Sequence, residues 1–176
     1  LPLTITQMLW VNLIMDTFAA MALASLPPES DVMRKKPRKQ TDFIINRTIG
    51  WAISIVGLLF FGLMFALLWY FERVAGVSPR ELTIFFTIFV MLQWWNLLNA
   101  KTLGGCRTAF HRLMADKGLL LVLAIILVGQ WVIVEFGGKM FRTTPLDLDT
   151  WMWIVIGTSP VFIFGELMRA GGRLRR

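Results

Sequence analysis

Residues 51–71 read WAISIVGLLFFGLMFALLWYF, a run with no charged side chain. A helix needs about 20 predominantly apolar residues to cross the hydrocarbon core of a bilayer, so this run predicts a membrane-spanning helix. Four further stretches meet the same criterion. The five predicted helices cover about residues 4–26, 48–71, 82–103, 118–136 and 150–168. The predicted fold class is therefore all-α: an integral membrane helical bundle with five transmembrane helices.

Composition and charge exclude several other classes of protein. Of the 176 residues, 56% are hydrophobic, against about 45–50% in soluble domains. A single cysteine, Cys106, excludes an internal disulfide framework, and a single histidine, His111, leaves no credible Ser/His/Asp arrangement. We therefore expect no catalytic residue within this chain. The net charge of +7 arises from basic residues between the apolar blocks, so we expect the lipid bilayer as a partner and no nucleic acid.

Local signals mark where several of the helices begin, end or bend. The sequence Ser78–Glu81 is a capping box with proline at the first helical position, which opens the third helix. Asp149 or Thr150 is expected to cap the fifth helix. Pro160 lies inside that helix and is expected to kink it, which membrane helices tolerate when a neighbouring group satisfies the freed carbonyl.

The distribution of basic residues predicts the topology. Fourteen of the eighteen Lys and Arg residues lie in the first-to-second loop, in the third-to-fourth loop and after the fifth helix. By the positive-inside rule these segments, including the loop 27–47 and the carboxyl terminus, are expected to face the cytoplasm. Five crossings then place Leu1 on the outer side. We expect a longer parent chain with further segments upstream of Leu1.

Among the acidic residues, only Asp16 is predicted to lie at the middle of a helix. A carboxylate there costs at least about 2.5–3.5 kcal/mol, so it indicates function. Asn12 precedes it by four residues, which places both side chains on one face of an α-helix. Their oxygens suit a hard cation such as Ca²⁺. A proton relay and a hydrogen bond that only holds helices together are the alternatives.

The predicted third helix carries further polar side chains. Gln93 is expected at mid-membrane, where it can face the first helix, and Asn96 and Asn99 are expected nearer the cytoplasmic end. Interhelical hydrogen bonding is the simpler explanation for these three residues. We expect Gln130 in the fourth helix to serve packing. The tryptophans at 94, 95, 151 and 153 are expected to face lipid or the membrane interface.

Three segments resemble a known family in the correct order. Residues 7–17, QMLWVNLIMDT, look like the sixth membrane helix of P-type calcium ATPases, with the detail closest to the plasma-membrane type. Residues 89–93, FVMLQ, with Asn96 and Asn99 following, resemble the eighth helix, and residues 133–139, IVEFGGK, resemble the outer end of the ninth. The resemblance covers essentially the whole chain, as helices six to ten.

The resemblance implies roles for individual residues. The asparagine and aspartate of the sixth helix are calcium ligands in the family, which implies Asn12 and Asp16 here. Pumps with two sites have a threonine where this chain has Met15, and a glutamate where it has Gln93. These differences imply a single calcium ion per cycle, with Gln93 and Asn96 as peripheral polar residues of the ion path.

The resemblance also implies a division of labour in the parent protein. This chain has no Asp-Lys-Thr-Gly-Thr phosphorylation motif, so the sites for ATP and Mg²⁺, and the cytoplasmic domains that carry them, are expected upstream. Upstream helices of the same parent are expected to complete the ion site. The expected function is calcium export across the plasma membrane. A pump for another divalent cation such as Mn²⁺ and a non-catalytic membrane assembly module are the alternatives.

Overall fold

The computed structural model describes residues 2–27, 47–102, 108 and 113–174. All regular structure within these ranges is helical. Five helices are long and apolar enough to cross a membrane: Ile5–Ala24, Ile49–Ala75, Pro79–Lys101, Lys117–Phe136 and Leu148–Leu167. The predicted all-α class with five spanning helices is confirmed. Most of the predicted cytoplasmic loop 27–47 lies outside the described residues, as do Leu1, Cys106 and His111.

The first helix changes its winding at the predicted site. Thr4 caps it through a capping box with Gln7, so the regular helix begins at Ile5. Residues Trp10–Met15 then form a π-helical segment, and an α-helix continues from Asp16 to Ala24. A π-helical segment is wider than an α-helical turn and is frequently found at functional sites. The sequence pattern, read with α-helical spacing, does not reveal this segment.

The third helix is the centre of the bundle. It begins at Pro79, three residues before the predicted start, and runs to Lys101. The predicted capping box is confirmed: the Arg80 amide donates to Ser78 Oγ (3.3 Å) and the Ser78 amide to Glu81 Oε2 (3.2 Å). Each of the other four spanning helices contacts this helix. Its buried face therefore determines where the others lie.

Two tryptophans of the third helix correct the sequence interpretation. Trp94 and Trp95 were expected to face lipid or the interface, but both are half-buried among helices. The Trp94 Nε1–H donates to the carbonyl of Leu123 (3.0 Å), and the Trp95 Nε1–H donates to Thr158 Oγ1 (3.1 Å). The expectation was wrong because an indole N–H finds a better partner in a neighbouring helix than in hydrocarbon. Trp153, in contrast, is exposed on the bundle surface.

The fifth helix is divided by its proline, as predicted. It consists of Leu148–Thr158 and Pro160–Leu174. Pro160 has no N–H to donate to the carbonyl of Ile156, four residues earlier. That carbonyl instead accepts hydrogen bonds from Ser159 Oγ (2.7 Å) and from the Ser159 amide (3.2 Å). The predicted cap was wrong, because the N-cap residue is Asp147. Thr150 instead donates its hydroxyl to the Asp147 carboxylate (3.0 Å).

An exposed ion pair joins the beginnings of the third and fifth helices. The Arg80 guanidinium donates to Asp147 Oδ1 at 2.7 Å. This hydrogen bond is the main reason that the pKa of Asp147 lies at about 2, below its ordinary 3.8. Because the folded-state pKa is depressed, the contribution of the pair to stability is present above the ordinary pKa and is lost as the pH falls towards 2.

We expect Arg80→Gln to return the pKa of Asp147 towards 3.8, because the largest cause of its depression is removed. A carboxyl-carbon NMR titration measures this pKa directly. Arg142→Gln, at an exposed arginine, is the control and should leave the titration of Asp147 unchanged. An unaltered pKa in the Arg80 variant would contradict the assignment.

A buried ion pair joins the end of the third helix to the beginning of the fourth. The Lys101 Nζ lies 2.6 Å from Asp116 Oδ2, and the two side chains are only 8% and 5% exposed. Removing one partner of a buried pair typically costs about 3–5 kcal/mol, because the other charge loses its compensation. The pair therefore holds the ends of these two helices together.

We expect Asp116→Asn to lower the free energy of unfolding by about 3–5 kcal/mol, because the Lys101 ammonium loses this carboxylate. Unfolding in mixed detergent and dodecyl sulfate micelles provides the measurement. Asp149→Asn, at an exposed aspartate, is the matched control and should change stability by less than about 0.5 kcal/mol. An equal loss of unfolding free energy in both variants would show that the buried ion pair does not stabilise the fold more than an exposed aspartate does.

Candidate cation-binding site

The two residues predicted to bind a cation lie where the first helix changes its winding. Asn12 is within the π-helical segment, and Asp16 follows it directly. The Asp16 amide donates to the carbonyl of Val11, five residues earlier, which is the hydrogen bond of a π-turn. Both side chains are exposed on the same side of the helix.

The neighbouring side of the first helix, about a quarter of a turn from Asn12 and Asp16, is buried. Val11 and Met15 are 1% and 3% exposed, and they belong to one cluster with Phe86 and Val90 of the third helix and Ile126 of the fourth. Trp10, two residues before Asn12, is buried as well. Asn12 and Asp16 therefore lie on the part of the first helix that the other described helices leave exposed. No helix within the described ranges covers them.

The additional polar residues of the third helix separate into two groups. Gln93 is half-buried and lies one turn from both Val90 and Leu97, which pack in the cluster that contains the first helix. Asn96 is half-buried as well. Asn99 points elsewhere: its Nδ2 donates to the carbonyl of Val161 in the fifth helix (3.0 Å). The expected interhelical role is confirmed for Asn99.

A polar network that the sequence interpretation missed lies behind the candidate site. The Trp10 Nε1–H donates to Gln130 Oε1 (3.1 Å), and Gln130 Nε2 lies 3.4 Å from Thr87 Oγ1. Thr87 in turn donates to the carbonyl of Thr83 (2.8 Å). This network, from here on the Trp10–Gln130–Thr87 network, connects the first, fourth and third helices. The packing role predicted for Gln130 is confirmed, but its partners depend on the tertiary fold.

The beginning of the first helix is also attached to the short helix Gly138–Phe141. Gln7 Nε2 donates to the carbonyl of Phe141 and Thr6 Oγ1 to the carbonyl of Met140, both at 2.8 Å. These carbonyls lie near the end of a four-residue helix, where intrahelical donors are lacking. The first helix is thus anchored on one side along its length, while the side that carries Asn12 stays uncovered by the described chain.

The described residues contain no cluster of three or more His, Cys, Asp or Glu side chains that could hold a metal ion. Asn12 and Asp16 together supply an amide oxygen and a carboxylate. Calcium takes six to eight oxygen ligands. The pair can therefore form part of a cation site, and the other ligands must come from additional groups.

Comparison with known proteins identifies the family of the chain. Residues 1–170 match the family described as "Cation transporting ATPase, C-terminus". The chain is 35% identical to plasma membrane calcium-transporting ATPase 2 of Oreochromis mossambicus and to plasma membrane calcium-transporting ATPase 4 of Bos taurus, and 34% identical to plasma membrane calcium-transporting ATPase 3 of Homo sapiens. Each alignment covers 95% of this chain and 15–16% of the relative.

The chain thus spans less than a fifth of the length of these relatives. The family match extends over all five spanning helices, including the segment that carries Asn12 and Asp16. This chain belongs to the family of carboxyl-terminal membrane regions of cation-transporting ATPases.

Proposed function

We propose that this chain is the carboxyl-terminal membrane part of an ATP-driven calcium pump, in which Asn12 and Asp16 bind the transported ion. The observation that carries the proposal is the exposure of both side chains on one side of a predicted spanning helix, where its π-helical segment ends. The family match and the similarity to plasma membrane calcium-transporting ATPases support it.

The physical cost of Asp16 supports an ion-binding role. A carboxylate at the centre of a spanning helix costs at least about 2.5–3.5 kcal/mol, and such residues normally face a bundle interior or pair with another group. Since the described helices leave Asp16 exposed, we propose that helices upstream in the parent chain cover this face. Those helices supply the remaining oxygen ligands of Ca²⁺.

Burial of Met15 supports a single calcium site. The position where two-site pumps are expected to have a threonine is occupied here by a methionine that is 3% exposed and packs towards the third helix. A thioether is a soft ligand that does not suit Ca²⁺. Gln93 and Asn96, both half-buried, then act as peripheral polar residues of the ion path.

The remaining functions belong to the parent protein. ATP and Mg²⁺ bind in upstream cytoplasmic domains, which drive alternating access. The lipid bilayer that surrounds the five helices is the plasma membrane. The loop 27–47 and the carboxyl terminus face the cytoplasm, as the distribution of Lys and Arg predicts.

We expect Asp16→Asn in the full-length parent to abolish calcium transport and calcium-dependent phosphorylation, because the site loses its only charged ligand from this chain. Uptake of radioactive calcium into proteoliposomes and phosphorylation by ATP are the two measurements. Asp149→Asn makes the same chemical change at an exposed position and should leave both unchanged. Wild-type calcium dependence in the Asp16 variant would refute the proposal. If the parent transported Mn²⁺ but not Ca²⁺, the transported ion would be Mn²⁺ and the calcium assignment would be wrong.

We also expect the parent to shield the uncovered face. With single cysteines in a cysteine-free background, Asn12→Cys should react with the carbene from a photolysed membrane-soluble diazirine in the isolated chain and be protected in the full-length protein, as read at that residue by mass spectrometry. Leu121→Cys, at an exposed position of the fourth helix, should react in both, and Met15→Cys, at a buried position, in neither. Equal reactivity of the Asn12 variant in both proteins would exclude a covering helix.

A further inference from the structure

The indole of Trp10 contacts the fourth helix at a glycine. A Cβ added to Gly129 would lie 2.4 Å from Cη2 and 2.9 Å from Cζ2 of Trp10, closer than side-chain atoms can approach. Any larger residue at position 129 would therefore push the indole away. Small residues at membrane helix interfaces permit this kind of close contact. Gly129 thus sets how near the first helix lies to the fourth.

A directional hydrogen bond then fixes the orientation of the indole. Trp10 has one side-chain donor, Nε1–H, and it is directed at Gln130 Oε1 (3.1 Å). The Gln130 side chain is fully buried, and its Nε2 lies 3.4 Å from Thr87 Oγ1 in the third helix. In a low-dielectric interior such a satisfied network favours one packing arrangement strongly, because each alternative leaves a buried polar group unpaired.

The same tryptophan begins the π-helical segment. Trp10 is its first residue, Asn12 lies two positions later, and Asp16 follows its last residue. Rotating or rewinding the first helix by one residue would turn the Asn12 and Asp16 side chains by about a quarter of a turn, since an α-helix has about 3.6 residues per turn. The attachment of Trp10 therefore controls the direction in which the two oxygen ligands point.

We propose that Trp10, Gly129 and Gln130 are positioning residues for the cation site. They set the rotation and the π-helical winding of the first helix, so that Asn12 and Asp16 face the ion together. The inference rests on the proposed function of these two residues. It goes beyond that function because none of the three positioning residues contacts the ion.

The choice of an amide at position 130 agrees with a positioning role. An apolar side chain of similar size would fill the same buried volume without any need for partners. A buried polar group is often kept where it specifies one helix register, as a single asparagine does in a coiled coil. Gln130 specifies the register of the first helix through its bond to Trp10.

The test is a double-mutant cycle in the full-length parent with Trp10→Phe, Gln130→Met and the double variant. Both substitutions remove the hydrogen bond. Gln130→Met keeps the size of the side chain, whereas Trp10→Phe also shortens the ring that contacts Gly129. We expect the calcium concentration for half-maximal phosphorylation to rise about tenfold in each single variant, a typical effect of losing a group that orients metal ligands. The double variant should show no further rise beyond that of Trp10→Phe, because the hydrogen bond is already lost in that variant. Maximal phosphorylation at saturating calcium should stay near that of the wild type. The melting temperature should fall by a few degrees in the single variants, because each leaves a buried polar group without its partner.

Gly129→Ala gives a second route to the same result, because it displaces the indole while leaving the hydrogen-bonding groups in place. Gly157→Ala is its matched control, since a Cβ at Gly157 meets no atom within 4 Å, and it should leave the calcium dependence unchanged. Unchanged calcium dependence in the Trp10, Gln130 and Gly129 variants would overturn the inference. So would an additive double variant, or a loss of maximal phosphorylation that follows the melting temperature.

The two proposals fail in different ways. If Asp16→Asn abolishes calcium-dependent phosphorylation while the Trp10, Gly129 and Gln130 variants behave as the wild type, only the positioning inference is wrong. If Asp16→Asn retains wild-type calcium dependence, the proposed cation site itself is wrong.

Discussion

The attachment of one side of the first helix to the third and fourth helices is the constraint on which the rest of the site depends. In a bilayer, lipid tails are as apolar as leucine, so helices associate through close packing and hydrogen bonds rather than through the hydrophobic effect. Trp10 packed at Gly129 and hydrogen-bonded to Gln130 provides both kinds of contact. With Trp10, Val11 and Met15 buried against these helices, the Asn12 and Asp16 side chains lie on the part of the first helix that stays exposed.

The third helix gives this attachment a rigid base. It contacts all four other spanning helices, and it is held at both ends, by the Arg80–Asp147 ion pair and by the buried Lys101–Asp116 pair. Between them, Trp94, Trp95 and Asn99 make hydrogen bonds to the fourth and fifth helices. A first helix that packs against such a base keeps a defined rotation about its axis. Two ligands that bind one ion together require such a fixed rotation.

How much of the fold and of the candidate site could be predicted depends on how far apart in the sequence the interacting residues lie. The five helices follow from the length of their apolar runs, and the Ser78 capping box and the break at Pro160 follow from residues close in sequence. The partners of Trp94 and Trp95 could not be predicted, because they lie on helices distant in sequence. The direction of Asp16 was equally hidden: when a helix is apolar on nearly every side, periodicity does not identify the buried one.

We propose that Asn12 and Asp16 bind the transported calcium ion together. The most direct test is a calcium-bound structure of the full-length parent at a resolution that separates ligand oxygens. We expect one calcium ion within about 2.3–2.6 Å of the Asn12 amide oxygen and a carboxylate oxygen of Asp16, with upstream helices completing the coordination. A calcium ion bound elsewhere in the membrane region, with both side chains facing lipid, would contradict it.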